Sequence, residues 1–226
     1  MKKIVVFTGA GISAESGLGT FRDSGGLWDN YKIEDVATPD AFKKNPELVL
    51  EFYNIRRRQL LSSSPNSAHY ALNKLQQNFN LQIITQNIDD LHERSGSNNV
   101  LHLHGKLRQS KSTLDNKLYE IEGSELILGD LCPNGAQLRP NVVWFGEAVP
   151  MMDVAIETVK TADIFIIIGT SLNVYPAASL IHYTLNSCEK YIIDPNADDY
   201  QGINVIRKKA SESVPILVDQ LISQNQ

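Results

Sequence analysis

Cysteine is scarce in this chain: 226 residues include two, Cys132 and Cys188, far apart. Two cysteines cannot build a disulfide framework or, by themselves, a four-cysteine zinc site, so a reducing compartment is expected. Long apolar runs are also missing. The longest, Ile164 to Ile168, falls well short of the roughly 20 residues that a membrane-spanning helix needs. No excess of positive charge exists either. Lysine and arginine number 21 against 26 acidic residues and are dispersed, which excludes a general affinity for nucleic acid or an anionic membrane. The opening MKKIVVFTGAG lacks the longer apolar region and small-residue cleavage site of a signal peptide. It reads as the first strand of a cytoplasmic protein. There is no internal repeat and no low-complexity tract.

Strand-like and helix-like stretches alternate along the chain. Apolar runs predict strands at 3–8, 81–86, 99–103, 141–144, 164–169, 190–194 and 204–206. Most are continuous rather than alternating, as in strands buried on both faces of a parallel sheet. Helical spacing marks 65–78, 153–161 and 211–223 between them. The expected fold is α/β: a doubly wound parallel-sheet Rossmann-like domain with a smaller inserted lobe. Residues 1–30, 65–104 and 141–226 are assigned to the Rossmann-like domain. The helical stretch 31–64 and the polar, irregular stretch 105–140 are assigned to the small lobe, with the active site expected in the cleft between lobes.

The first strand runs into Gly9-Ala10-Gly11, a context in which small residues let the backbone approach a pyrophosphate at a helix N-terminus. The spacing departs from G-x-G-x-x-G, because Gly17 comes late and Gly19 follows it. Gln86, Asn87 and Asp89 follow a strand, His104 follows the next, and Gly169-Thr170-Ser171 ends the most apolar one. Each alone makes a good cap or turn. All of them fall at the carboxyl end of one predicted sheet, where α/β ligands bind.

Together GAGISAESG, TFRDSGGLW, TQNIDDLH, HLHG, RPNVVWFGE and GTS, in that order from Gly9 to Ser171, resemble the sirtuin family of NAD-dependent protein lysine deacylases. The resemblance implies that NAD is a consumed co-substrate. The acyl oxygen of a modified lysine attacks C1′ of the nicotinamide ribose, and the products are free lysine, nicotinamide and O-acyl-ADP-ribose. It implies His104 as the general base on the ribose hydroxyls, a task that suits imidazole, whose ordinary pKa lies near 6.5. Asn87 is the other expected catalytic residue. His102, two residues earlier on a strand, points to the opposite face and receives no catalytic role.

By the same resemblance Gly9, Ala10, Gly11 and Ser13 form the NAD-binding turn. Asp89 and the Ile88 backbone hold the nicotinamide carboxamide, while Gln86 and Asn87 contact the ribose. Phe21 and Arg22 lie on a loop that covers NAD and excludes water. Gly169, Thr170 and Ser171 take the adenosine side. Asp194 is expected to accept from ribose hydroxyls, although IIDPNA departs from the asparagine-containing form common in the family. Val142, Phe145, Gly146 and Glu147 belong to the segment to which a substrate peptide adds as a strand. The implied partners are acyl-lysine proteins or peptides.

Two departures carry further information. Most sirtuins hold the small lobe with zinc between two C-x-x-C pairs, yet here residues 106–138 contain only Cys132, and the position three residues on is Gly135. No structural zinc is expected. The lobe should then rely on packing by Leu107, Leu114, Leu118, Tyr119, Ile121, Leu126, Ile127 and Leu128. The second departure is FYNIRRR, residues 52–58, on a helix predicted to start at Pro46. Tyr53 and Arg56 are i and i+3 and share a face; a hydroxyl and a guanidinium aimed together can bind a carboxylate. This resembles the acyl pocket of class III sirtuins, with Ala37 of VATP as the small residue that makes room for a longer acyl chain. Succinyl-lysine and related dicarboxylic acyl-lysines are the implied substrates, with acetyl-lysine also accepted. Arg57 and Arg58 are assigned to the solvated surface. Two alternatives use the same site: an ADP-ribosyltransferase or NAD glycohydrolase, and a non-catalytic NAD or acyl-lysine sensor.

Overall fold

The computed structural model describes residues 1–19 and 30–225. Six strands form one parallel sheet: β1 (Lys3–Thr8), β2 (Asn80–Thr85), β3 (Val100–His102), β7 (Ile164–Ile168), β8 (Glu189–Ile193) and β9 (Asn204–Ile206), in the order β3-β2-β1-β7-β8-β9. Every residue of β7 is buried, as its unbroken apolar run requires of a central strand covered on both faces. Helices α5 (Ser67–Leu75) and α8 (Ala210–Gln224) cover one face through Ala68, Leu72, Val214 and Leu217. Helix α7 (Met152–Lys160) and a 3₁₀ segment, Ala177–Tyr183, cover the other through Ala155, Val159 and Leu180. The sheet is thus doubly wound. Its strand order reverses direction at β1 and β7, which opens a crevice at their carboxyl ends.

The small lobe differs from its expected form. The stretch after His104 is not irregular: β4 (Gly105–Ser112), β5 (Leu118–Glu120) and β6 (Leu138–Val142) make an antiparallel sheet in the order β5-β4-β6. The strand expected at 141–144 therefore lies in this second sheet. Along β4, whose register shifts between Gly105 and Ser110, Leu107, Ser110 and Ser112 are buried between half-buried neighbours, so small polar residues hold two of the three inward positions. An apolar count could not register it. Helices α2 (Ile33–Val36), α3 (Pro39–Lys44) and α4 (Pro46–Ser62) pack on this sheet. Asn45 caps α4 by accepting from the Leu48 amide, and Pro46 sits where no intrahelical donor is needed.

Only part of the packing expected for the lobe forms. Leu107, Ile121 and Leu126 are buried, and Tyr119 is half-buried. Leu114, Leu118, Ile127 and Leu128 are 66, 54, 57 and 49 % exposed. Polar contacts join this segment to α4 beside the apolar packing of Leu50 on Ile121 and Leu126. Asn54 donates to the Leu126 carbonyl and accepts from the Leu126 amide at 3.2 and 3.0 Å. Arg57 is fully buried, contrary to its expected surface role; it donates to the carbonyls of Leu107 and Ser124 and to Asn54 Oδ1. Burial pulls its pKa down to about 10, so it stays charged at neutral pH. Arg58 does face solvent, paired with Glu51 and Glu125.

Two buried histidines flank the carboxyl end of the sheet. His69, at the third position of α5, accepts from the Asn66 amide. His92 lies in α6 (Leu91–Arg94), its Nε2 3.0 Å from Thr8 Oγ1. Desolvation pushes the pKa of His69 down to about 4 and that of His92 down to about 3. The unfolded chain therefore binds protons below pH 6.5 that the folded chain refuses. Their contribution to stability is full above that pH and is lost as pH falls toward the folded values.

Two predictions follow from these contacts. Arg57→Met, which removes the donor to the carbonyls of Leu107 and Ser124 and one of two donors to Asn54 Oδ1, should lower the unfolding free energy by about 2 kcal/mol or more; an unchanged urea midpoint would show that the guanidinium contributes nothing net. Between pH 6.5 and 4, stability should fall by roughly 1 kcal/mol per pH unit for each of His69 and His92. Urea titrations of His92→Gln should show a shallower dependence than wild type.

Candidate active site

A cavity of about 770 Å³ lies where the carboxyl ends of β1, β2 and β7 meet the small lobe. Its floor is built by close backbone approach. A Cβ on Gly9 would lie 2.7 Å from the Gly169 carbonyl oxygen, and one on Gly11 2.6 Å from Gly169 Cα. Gly169 itself has φ +61°, a conformation that favours glycine. The two turns interlock through Gly9 N–H to Ile168 O and Gly11 N–H to Gly169 O, at 3.0 and 2.9 Å. These glycines are thus required by turn-to-turn packing as well as by any ligand that approaches the cradle.

Above this floor, Ser13 of α1 (Gly11–Ala14) gathers the polar groups after β2. Its hydroxyl donates to Asp89 Oδ2 at 3.0 Å and accepts from Asn87 Nδ2 at 3.1 Å; Asn87 also donates to the Gly9 carbonyl. Regular strand geometry does not continue to these residues, since β2 ends at Thr85. A shared hydroxyl, rather than strand alternation, brings Asn87 and Asp89 together. Asp89 is buried, which raises its carboxyl pKa, against opposing hydrogen bonds from the Leu91 amide and Ser13. Gln86 Nε2 donates to Thr170 Oγ1 at 3.1 Å, joining the ends of β2 and β7.

His104 enters from the strand end beside Gln86. Its Nδ1 lies 3.0 Å from the Gln86 carbonyl oxygen. A carbonyl only accepts, so Nδ1 carries the proton and Nε2 keeps its lone pair. Desolvation lowers the His104 pKa, and the hydrogen bond to Gln86 opposes that in part. The ring is thus a neutral base of fixed tautomer. Gly105, φ +84°, leaves no room for a side chain, because its Cβ would lie 2.0 Å from the Asn141 carbonyl oxygen. His102 turns the other way, to the Asn87 carbonyl and Glu93, at 3.0 and 2.8 Å.

The small lobe closes the opposite wall. Ala37, Tyr53 and Arg56 line it, together with Val142, Phe145, Gly146 and Glu147. Tyr53 is buried, and desolvation raises its pKa to about 12. Arg56 is half-buried beside the Phe52 and Tyr53 rings, with its pKa lowered by desolvation. The amides of Val143, Trp144, Phe145 and Glu147 donate within the chain, to His104 O, Glu147 Oε2, Ala37 O and Trp144 O. An added peptide strand would therefore have to use the other main-chain groups of this segment.

The sequence-predicted residues Gly9, Ala10, Gly11, Ser13, Gln86, Asn87, Ile88, Asp89, His104, Gly169, Thr170, Ser171 and Asp194 line the same cavity. Asp194 accepts from the Asn196 amide through Oδ1. Phe21 and Arg22 lie outside the described residues. Sequence reasoning missed Trp144 and Arg139. Both stand in RPNVVWFGE, but nothing in that motif says that the indole ring turns inward to Tyr53. Among the described residues no group of three or more histidine, cysteine or acidic side chains could hold a metal, and no helix is long and apolar enough to cross a membrane.

Nitrogen-15 NMR of the His104 ring should show protonated Nδ1 and bare Nε2 at pH 7, with titration below 6.5. The opposite tautomer, or a pKa above 6.5, would remove its assignment as a base.

The Sir2 family model matches residues 9–176. A Bacteroides thetaiotaomicron protein named NAD-dependent protein deacylase is 52 % identical over 231 residues, a match that covers 98 % of this chain and 99 % of that protein. A solved complex of a mutant Sir2 homologue with ADP-ribose superposes with a TM-score of 0.92 at 42 % identity, covering 99 % of this chain and 93 % of the other. A complex described as Sir2, p53 peptide and NAD+ superposes with a TM-score of 0.81 at 33 % identity, covering 96 % and 92 %.

Proposed function

We propose, from the premise that this chain belongs to the Sir2 family and is an NAD-dependent protein deacylase, that the acyl groups it removes from lysine are succinyl, malonyl and related dicarboxylic chains, with acetyl also accepted. One observation supports this reading above the others: Tyr53 and Arg56, one turn apart on α4, line the same cavity as His104, with Ala37 beside them. A terminal carboxylate entering that wall meets a neutral phenol and a cationic fork, the donors that recognise it best. Acetyl-lysine has no such group to offer.

The glycine cradle and the Ser13, Asn87 and Asp89 cluster fit a dinucleotide whose nicotinamide half lies deep and whose adenosine half runs past Gly169 to Ser171. Bound there, NAD supplies a glycosidic bond whose cleavage releases nicotinamide and leaves an ADP-ribosyl acceptor for the acyl group. His104, with Nε2 unprotonated, takes a ribose hydroxyl proton. Asn87 fixes the ribose side through groups already anchored on Gly9 and Ser13. Gly146 and its neighbours position the acyl-lysine peptide by main-chain contacts, so sequence selectivity is loose.

The remaining assignments are part of the same proposal. NAD binds between a Rossmann-like domain and a small lobe divided as the sequence suggests, with β6 crossing the boundary at residue 140. The lobe stands without structural zinc. In support, Cys132 is the segment's only cysteine, and a turn from Cys132 to Ala136, with Gln137 bonded to Gly129, Ile127 and Asp130, closes the region on itself. The setting is cytoplasmic, and the partners are acyl-lysine proteins rather than nucleic acid or membrane.

Chelator-treated protein given NAD and matched succinyl- and acetyl-lysine peptides should release nicotinamide and free lysine, with kcat/KM higher for the succinyl peptide. Arg56→Met should lower succinyl turnover by about tenfold or more and acetyl turnover far less, since only the former leaves a buried carboxylate without its charged donor. Equal losses would make Arg56 structural. Stoichiometric zinc in the purified protein would refute the zinc-free lobe.

A further inference from the structure

Tyr53 does not choose its hydroxyl orientation alone. Trp144 Nε1 lies 3.0 Å from Tyr53 Oη, both residues being buried. An indole N–H only donates, so the phenol oxygen must accept, and the phenol proton is directed to another partner. The cavity wall that Tyr53 shares with Arg56 supplies the place for one.

The indole is itself clamped. Arg139 lies flat against it, its Cζ 3.3 Å from the ring centroid. That guanidinium is held by two parallel bonds to Glu147, at 2.7 and 3.0 Å, and by one to the Val142 carbonyl. Glu147 Oε2 also accepts from the Trp144 amide at 2.8 Å. Ring, cation and carboxylate therefore close a loop around a single residue. Phe42 also packs against the same ring, tilted, at a centroid distance of 5.4 Å. A side chain restrained in so many ways loses little freedom when it holds one hydrogen-bond direction.

We infer that Trp144 is a positioning residue for acyl selectivity: its indole N–H makes Tyr53 a donor toward the cavity, and the Arg139–Glu147 pair fixes the indole for that purpose. The inference rests on the reading of Tyr53 and Arg56 as readers of an acyl carboxylate. It adds that the motif RPNVVWFGE serves acyl recognition through its tryptophan as well as peptide docking through its backbone. Without the indole N–H the phenol rotates freely, and its proton is shared with other acceptors.

The test pairs two measurements. In wild type, Trp144→Phe, Tyr53→Phe and Arg56→Met, kcat and KM are determined for matched succinyl- and acetyl-lysine peptides. In Trp144→Phe the ratio of succinyl to acetyl kcat/KM should fall about tenfold, the worth of one hydrogen bond to a charged group, chiefly through a higher succinyl KM. Tyr53→Phe should lower the ratio at least as much. A ratio unchanged in Trp144→Phe, while Arg56→Met lowers it, overturns the inference and leaves the acyl reading intact. A wild type without preference for the succinyl peptide overturns both. The second measurement is independent of turnover and is read on variants whose remaining resonances keep their wild-type dispersion. The chain has two tryptophans, so the indole N–H resonance lost in Trp144→Phe identifies Trp144, and in wild type it should exchange slowly and shift in Tyr53→Phe. An indole resonance indifferent to Tyr53→Phe would overturn the inference whatever the kinetics.

Discussion

Arg57, sealed inside the small lobe with its donors on the carbonyls of Leu107 and Ser124 and on Asn54, is the buried polar contact that fastens α4 to the lobe's sheet. Tyr53 and Arg56 ride on the same helix, so the cavity wall that carries them is held in part by an arginine that does not line it. Burying a charge is costly unless it is hydrogen-bonded. Here carbonyls of β4 and of a loop accept from Nε and Nη1, while Nη2 has no partner among the described residues. This polar fastening stands beside the apolar contacts of α4 with Leu107, Ile121 and Leu126.

The second dependence runs through backbone contact between two turns. Gly9 and Gly11 meet Gly169 at distances that admit no side chain, and this brings the ends of β1 and β7 together over the switch in strand order. Ser13, one turn into α1, then falls within reach of both Asn87 and Asp89. The polar cluster on the cavity floor is therefore a consequence of how closely two loops pack. His104 is held separately, by the Gln86 carbonyl that fixes its tautomer and by Gly105, which lets β4 start hard against β6.

Much of this was legible in the chain. Continuous apolar runs read correctly as strands covered on both faces, and their carboxyl ends carried the polar motifs that line the cavity. The small lobe was less legible for a specific reason. Strand β4 shifts register and turns Ser110 and Ser112 inward, so its buried positions follow neither a strict period of two nor hydrophobicity. The exposed leucines Leu114, Leu118 and Leu128 were drawn into the expected core by their type alone. Likewise Trp144 and Arg139 stood in a recognisable motif, but the bond from the indole to Tyr53 depends on a helix 91 residues away along the chain.

The three arginines of FYNIRRR divide the two kinds of knowledge. The sequence alone determined the helix, its start at Pro46 and the shared face of Tyr53 and Arg56, because these follow from local geometry and a period of about 3.6 residues. It did not determine which neighbours lie around that helix. Successive residues turn by about 100°, so Arg56 meets the cavity, Arg57 the lobe and Arg58 solvent with Glu51 and Glu125. Only tertiary structure decided that the middle arginine was buried, since the carbonyls that satisfy it lie 50 and 67 residues away along the chain.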